Sequence, residues 1–537
     1  MIQALKKSVF ISIPLCIATL ILLWFSNYFQ AAIGSDVSFL TLAAEKFLLG
    51  MKMSEAYYDT NPPLSILIYV PAVLLSQLSG LQLYTSLHIY FTLLFTISFI
   101  LSVNVIRKLP NITHEQRVII LCCFAYITTI FSGYDFGQKD HILALFLFPL
   151  VILQLLLTYG VKVSAIVKWS ILILASVFIL IKPHFGLVPL FLFSHRIVLQ
   201  KRFNIYKDHD FLALACAAII YAILLITVFN DYLFEIMPNV ISLYANDISQ
   251  QQRAISLLIM LISLTPVALG QTIFKKMPEI VQLMSVIAFL CMIPVFMQGK
   301  GFLYHAIPHK IFFAGAWTLL ICYAVNASLK EITFLKLSGY IIATGFICWL
   351  CIQGYTNINK LPKHEIFKTS KLSDVLNDCS RENCSFFMFT DTINISQELS
   401  LYTRKKNITR FPTPWYFPVL LYQKDQIKQG LPAQYTQKEV DEKLSFFLSL
   451  EAQTIQKNTP DILIIGHVKF TGVSDEIFDF KNFSTEHNET FKDIWMQYEL
   501  DQSITVDRAD YMARKFPNEE LTTYDIYLRK NSTQNTK

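Results

Sequence analysis

The sequence predicts a helical, multi-span membrane protein that ends in a soluble α/β domain, and three observations carry that prediction. Of its 537 residues 54% are hydrophobic and only 16% are charged, against roughly 25% in a soluble domain. The mean hydropathy is +0.45. Apolar runs long enough to cross a bilayer recur as far as Ile352, and from Asn357 onward the composition becomes that of a water-soluble chain. The net charge of +6 is spread thinly, with no basic cluster suited to nucleic acid, so the expected partner surface is the lipid bilayer.

The N-terminal segment has a basic start at Lys6 and Lys7, then an apolar run through Tyr28 without a small-residue cleavage site. It reads as a retained first helix that enters from the cytoplasm. The next run, Leu64 to Leu78, holds Pro71 and has no charge at its far end. Laying it in the outer leaflet as a juxtamembrane or re-entrant helix keeps Arg107, Lys108 and Arg117 inside after the span Tyr84 to Ile106. Spans then follow at Val118 to Phe131, Ile142 to Tyr159, Ile171 to Ile181, Gly186 to Leu199 and Phe211 to Phe229. Ala254 to Phe274 (ending at Lys275-Lys276), Ile280 to Phe296, Ile311 to Val325 (ending near Lys330) and Phe334 to Ile352 complete them. The total is about eleven, with each strongly basic short loop on the inside. Residues 1 to 356 form the membrane part, with a first outer loop at 30 to 83, and residues 357 to 537 form the soluble domain.

In that second part Ser385 to Phe389 and Asp461 to Gly466 are short apolar runs typical of buried parallel strands. Thr436 to Lys457 has helical periodicity, and Tyr524 to Leu528 is a candidate last strand. Eight of the ten cysteines lie in apolar segments, as small core residues do. Cys379 and Cys384 differ: they are either a disulfide in an oxidising compartment or two surface thiols. No internal repeat or low-complexity segment is evident.

Under this topology the unusual polar groups collect on the outer side. They are Asp36, Tyr58 and Asp59 of the first loop, then Asp135, Lys139, Asp140 and His141, then Lys182 and His184, and last Lys300, Tyr304 and His305. Ionisable groups at membrane depth are costly, which makes them functional candidates. A carboxylate there can act as general base on an acceptor hydroxyl or amine, and Lys and His donors can hold a phosphate and the charge that develops on it. Asp36 is the first choice for the base. Each has a plainer reading as well. Asp36 fits a helix N-cap, Asn61-Pro62-Pro63 fits a helix start, Lys139 and Lys182 fit snorkelling to headgroups, and Tyr304 and His305 fit an interfacial belt. His309 fits a structural role. Asp135 with Asp140 would make a minimal divalent-cation site.

The order of a first span, Asp36, a helix ending at Gly50 and then Tyr57-Tyr58-Asp59-Thr60-Asn61-Pro62-Pro63-Leu64 resembles the first outer loop of GT-C fold glycosyltransferases. The lipid A aminoarabinose transferases and protein O-mannosyltransferases belong to that group. Phe136 to His141 resembles their second acidic outer loop, and Lys182-Pro183 and Gly299 to Pro308 resemble later loops that face the donor phosphate. The resemblance covers residues 1 to 355. It implies a GT-C-like fold, a polyprenyl-phosphate-linked sugar donor, transfer at the outer face, and Asp36 as the catalytic or substrate-orienting carboxylate. Asp36 is followed by Val37 where many relatives carry two adjacent acidic residues, which leaves metal dependence open.

The expectation is therefore a multi-pass inner-membrane glycosyltransferase with a cytoplasmic N-terminus and an extracytoplasmic C-terminal domain. Its acceptor would be a cell-envelope glycan or glycolipid. Asp36, Asp135 and Asp140 are the catalytic candidates. Tyr58, Asp59, Lys139, His141, Lys182, His184, Lys300, Tyr304 and His305 are the substrate-binding candidates, and a divalent cation is the one cofactor considered. The rivals are a transporter or flippase of lipid-linked saccharides, which would keep its charges near the midplane and often show two related halves, and a polymerase or ligase of the same molecules.

Overall fold

The computed structural model describes residues 2–244, 249–274, 279–328, 352–379, 384–391, 393–469, 477–507 and 521–530. The last expected span, Phe334 to Ile352, lies almost wholly outside the described residues, as do Lys275, Lys276 and Lys330. The chain divides into two compact units. One comprises residues 1–30, 88–224 and 248–361; the other comprises 31–87, 225–247 and 362–537.

The first unit is helical. Among the described residues five helices are long and apolar enough to cross a membrane: Leu83–Ile106, Lys139–Thr158, His209–Thr227, Gln250–Leu269 and Glu279–Gln298. Shorter apolar helices include Pro14–Tyr28 and Ala165–Ile179. Lys139–Thr158 is buried over 94% of its apolar stretch, which makes it the centre of the unit. It packs on Ala165–Ile179, Leu187–Gln200 and Ile307–Ser328. The ring stacks Phe124–Phe148 and Phe146–Phe178, at 4.4 and 4.6 Å, fasten its outer surface. His209–Thr227 is the opposite case. Only 11% of it is buried, and Ile219, Ile220 and Ile223 stand exposed. A helix that is apolar all round and left uncovered by protein is one that faces lipid.

Two expected spans have a different local form. Val118 to Phe131 is helical from His114 to Tyr126 and then widens into a π-turn, Ile127–Phe131. Ala254 to Phe274 breaks at Leu264 into Gln250–Ser263 and Thr265–Phe274. At one end of the unit Arg196 is buried and forked onto Asp210 at 2.7 and 3.1 Å, with Asp208 at 3.2 Å. Arg suits such a site because its planar guanidinium meets a carboxylate with two parallel bonds.

The second unit holds a five-stranded sheet in the order β2-β1-β3-β5-β4. Its strands are β1 (Ser385–Phe389), β2 (Lys406–Asn407), β3 (Ile462–Gly466), β4 (Tyr498–Asp507) and β5 (Leu521–Arg529). β1 runs parallel to β2 and β3, as the two unbroken apolar runs predict for strands covered on both faces. β5 is antiparallel to both β3 and β4, so the sheet is mixed. The predicted helix is Gln437–Asn458, opened by a capping box in which Thr436 accepts from the Glu439 amide and Glu439 accepts from that of Thr436. Cys379 and Cys384 are joined by a disulfide, with Cα atoms 6.2 Å apart.

The first outer loop belongs to this unit and is hydrogen-bonded into it. Ile33 N–H donates to the Tyr402 hydroxyl at 2.7 Å, Ala32 N–H to the Pro362 carbonyl at 2.7 Å, and Tyr58 N–H to the Arg410 carbonyl at 2.9 Å. Helix Ser35–Leu48 packs on Ile393–Thr403. The run Leu64 to Leu78 is split into Leu64–Leu67 and Val70–Ser79, too short in either piece to span.

Replacing Thr436 with Ala removes the hydroxyl that accepts from the Glu439 amide at the start of Gln437–Asn458, while the backbone N–H at 436 still reaches the Glu439 carboxylate. About 1 kcal/mol of local stability is expected to be lost. Hydrogen exchange of the amides of residues 437–440 should accelerate about fivefold, while that of β1 stays unchanged.

Candidate functional site

The first unit brings seven of the polar candidates together, and their geometry starts at the head of its central helix. Lys139, Asp140 and His141 form the first turn of Lys139–Thr158, and Gln138 at the N-cap provides no side-chain cap. All three side chains are buried. The Lys182 ammonium bonds Asp140 Oδ1 at 2.8 Å. Asp140 Oδ2 is buried and has no hydrogen-bond partner. Both lysines lie against the Tyr304 ring, with Lys139 Nζ at 5.4 Å and Lys182 Nζ at 5.9 Å from its centroid. Contacts of this type hold a cation against an aromatic face without neutralising it. Two ammonium groups thus lie at the amide end of a helix, an end that favours anions.

His184 and His305 belong to the same cluster. His184 sits in the turn Pro183–Gly186, where its Nε2 comes within 3.5 Å of the Gln298 amide nitrogen. Burial, and then the Lys182 charge, lower its pKa to about 4. His305, in the turn Leu303–Ala306, is buried and its Nδ1 has no partner. Burial, and then the charges of Lys182, Lys139 and His184, hold its pKa well below the usual imidazole value. Both rings are therefore neutral at physiological pH, and the cationic charge comes from the lysines.

His141 has a supporting place. Its Nδ1 accepts from Gly137 N–H at 3.2 Å, and Nε2 donates to the Thr128 carbonyl at 2.7 Å, within the π-turn. Both ring nitrogens are thus used to fix the loop that carries Lys139 and Asp140. Phe136 anchors the same loop among Trp24, Tyr28 and the His141 ring at 4.6, 4.9 and 4.5 Å. Gly137 has φ +88°, and a Cβ there would fall 2.4 Å from the buried Phe91 ring, so the loop requires glycine twice over. His309 bonds the Ala288 carbonyl at 3.0 Å, a structural contact.

The remaining candidates are placed as follows. Asp135 is partly exposed in the turn Gly133–Asp135, and Lys300 is partly buried between Gly299 and Gly301. Asp36, Tyr58 and Asp59 belong to the second unit. Asp36 is half-buried in the first turn of Ser35–Leu48, where Gly34 and not Asp36 is the N-cap. The buried Tyr58 hydroxyl accepts from Asn239 at 3.0 Å, and the buried Asp59 accepts from Asn61 at 3.1 and 3.2 Å.

Of the two carboxylates that the sequence offers for a divalent cation, Asp140 already serves a lysine. Asp140 Oδ1 is taken by an ammonium, and Lys139 stands beside it. Among the described residues the one grouping of three possible ligand atoms is Cys379, Cys384 and Asp461, whose two sulfurs are bonded to each other. Gln298 and the π-turn carbonyl of Thr128 are supports that the sequence reading missed. The only signals were the position of Gln298 at the end of an apolar run beside Gly299-Lys300 and the polar pair Thr128-Thr129 within another.

Breaking the ion pair from one side strands a buried charge. Lys182→Met and Asp140→Leu are each expected to destabilise the chain by about 3–5 kcal/mol, and the double variant by less than either. Thermal unfolding in detergent measures this. A second expectation concerns pH. His184 binds its proton with a pKa of about 4 when folded and near 6.5 when unfolded, so the unfolded chain takes up protons first on acidification. Stability should fall as pH drops from about 6.5 to about 4, and His184→Gln should flatten that slope.

No protein-family model matches the chain, and no curated protein matches it. Several solved chains are similar to it, among them the following three. ArnT from Cupriavidus metallidurans in the apo state is 11% identical with a TM-score of 0.46, over 84% of this chain and 92% of that one. The same protein bound to undecaprenyl phosphate is 10% identical with a TM-score of 0.46, over 95% of this chain and 97% of that one. The arabinofuranosyltransferase AftD from Mycobacteria is 12% identical with a TM-score of 0.47, over 96% of this chain and 40% of that one.

Proposed function

We propose that this chain is an integral membrane glycosyltransferase of the GT-C type. It moves a sugar from a polyprenyl-phosphate-linked donor to a cell-envelope glycan or glycolipid at the outer face of the membrane. The observation that carries the reading is the pair of buried lysines, Lys139 and Lys182, held beside Asp140 at one helix head with the Tyr304 ring near both. Two buried ammonium groups at the amide end of a helix suit an anionic ligand, and a phosphate matches them.

In the proposed reaction a carboxylate takes the proton of the acceptor hydroxyl as its oxygen attacks the anomeric carbon. The bond from that carbon to the phosphate oxygen breaks, and its electron pair leaves with the lipid phosphate. Lys139 and Lys182 hold the phosphate and stabilise the charge it gains. Asp140 orients Lys182, with Oδ2 left to accept from a substrate hydroxyl. Tyr304 and the neutral His305 line the same site, and Lys300 extends it. Asp36 is the proposed base, and Tyr58 and Asp59 keep their proposed place in the first loop. No step is routed through a cation. The proposed arrangement has about eleven spans in residues 1–356, a cytoplasmic N-terminus, and residues 357–537 outside the cytoplasm. The disulfide Cys379–Cys384 supports that side, since such bonds persist in oxidising compartments.

The test is sugar transfer in membranes from a panel of radiolabelled polyprenyl-phosphate sugars. One donor should be consumed by the parent chain, with Lys139→Met, Lys182→Met and Asp36→Asn each lowering turnover about 100-fold at matched expression. Parental turnover in both lysine variants would overturn the phosphate assignment. Movement of intact lipid-linked sugar across the bilayer without transfer would replace the enzyme with a transporter.

A further inference from the structure

A second set of buried polar groups lies in the unit that contains the sheet, and the donor chemistry makes no use of it. Arg410 and Glu451 are 6% and 2% exposed. No described residue hydrogen-bonds the Arg410 guanidinium, whose Nε is fully buried, and no carboxylate among the described residues lies within ion-pair distance of it. Glu451 Oε1 accepts from the Tyr416 hydroxyl at 3.5 Å, and its buried Oε2 has no partner. The Trp415 indole N–H is likewise buried and unpartnered.

These three orphans share one aromatic cluster. Tyr416 stacks on Phe447 at 4.2 Å, and Trp415 meets Phe447 at 5.8 Å. Phe411, the neighbour of Arg410, packs on Tyr416 at 5.0 Å and on the Tyr58 ring at 5.0 Å. Buried polar groups are almost always hydrogen-bonded, and a stranded buried guanidinium is among the most costly exceptions. A protein keeps such an arrangement where something else completes it.

We propose that this aromatic-walled cluster is the binding site for a negatively charged saccharide, the acceptor end of the reaction inferred above. The ligand class follows from the groups present. Ring faces suit the C–H side of a pyranose, and the indole and guanidinium N–H groups are donors that want oxygen. The local charge is positive. Burial drives the Glu451 carboxyl up to about 8, so it is neutral and adds a third donor, while Lys46 feels both Lys406 and Arg410. Glu55, the nearby carboxylate, is already bonded to Lys457 at 2.9 Å. A guanidinium with open donors in such surroundings selects a carboxylate-bearing sugar over a neutral one.

Calorimetric titration of the full chain in detergent with trigalacturonate and with maltotriose tests the site. Saturable binding of trigalacturonate, about tenfold tighter than maltotriose, is expected. Arg410→Lys and Trp415→Phe should each weaken it about tenfold. Equal binding of the two sugars by the parent chain overturns the proposal, as does parental affinity in both variants. The inference rests on the glycosyltransferase reading, yet donor turnover and saccharide binding are measured separately in the parent. A chain that binds trigalacturonate but consumes no lipid donor keeps this site and refutes that reading; one that consumes donor with no preference between the sugars does the reverse.

Discussion

The ion pair between Lys182 and Asp140 is the constraint around which the first unit's polar end is arranged. Two charges leave water to form it, and their attraction offsets that cost only if the geometry is good and few polar atoms are left over. The bond is short, 2.8 Å, yet Asp140 Oδ2 stays open and Lys139 adds a second buried cation one residue away. The helix dipole adds to the cost, because an N-terminal turn favours negative charge and here receives a lysine beside its aspartate. The surrounding structure holds these groups in place: the His141 staple, the Phe136 anchor and the Gly137 bend fix the loop, and the Tyr304 ring faces both cations.

The second unit shows how separated segments come to share one core. The first outer loop follows a membrane helix in the chain, yet its backbone donors end on Tyr402, Pro362 and Arg410, more than three hundred residues later. The segment 225–247 joins through Asp231, which accepts from Ser54 N–H at 2.8 Å. A loop with this many buried backbone groups must satisfy them somewhere. Here the donors find partners in the C-terminal domain, so the polar residues Tyr58 and Asp59 are held by a folded body.

The sequence reading placed most of the helices correctly because hydrophobicity is a local property. Apolar runs gave Leu83–Ile106, Lys139–Thr158, His209–Thr227 and Glu279–Gln298 to within a few residues. Two-sided burial identified β1 and β3, and the period of an amphipathic helix identified Gln437–Asn458. The lysines and histidines of the candidate site were visible for a related reason. A charge at the edge of an apolar run is costly wherever the run folds, so composition alone flags it.

Pairing was what the sequence left open. Nothing in it says that Lys182 meets Asp140, that His141 spends both nitrogens on backbone, or that Arg410, Trp415 and Glu451 each keep a buried polar atom without a partner in one aromatic cluster. β4 was missed because an exposed, polar strand at the sheet edge has little periodicity of its own and is fixed only by β5. The sequence by itself determined which segments avoid water and which residues carry charge at costly depth, because each depends on a residue and its near neighbours. Tertiary structure alone decided which charges are answered and which are left open, because that depends on distances between residues far apart in the chain.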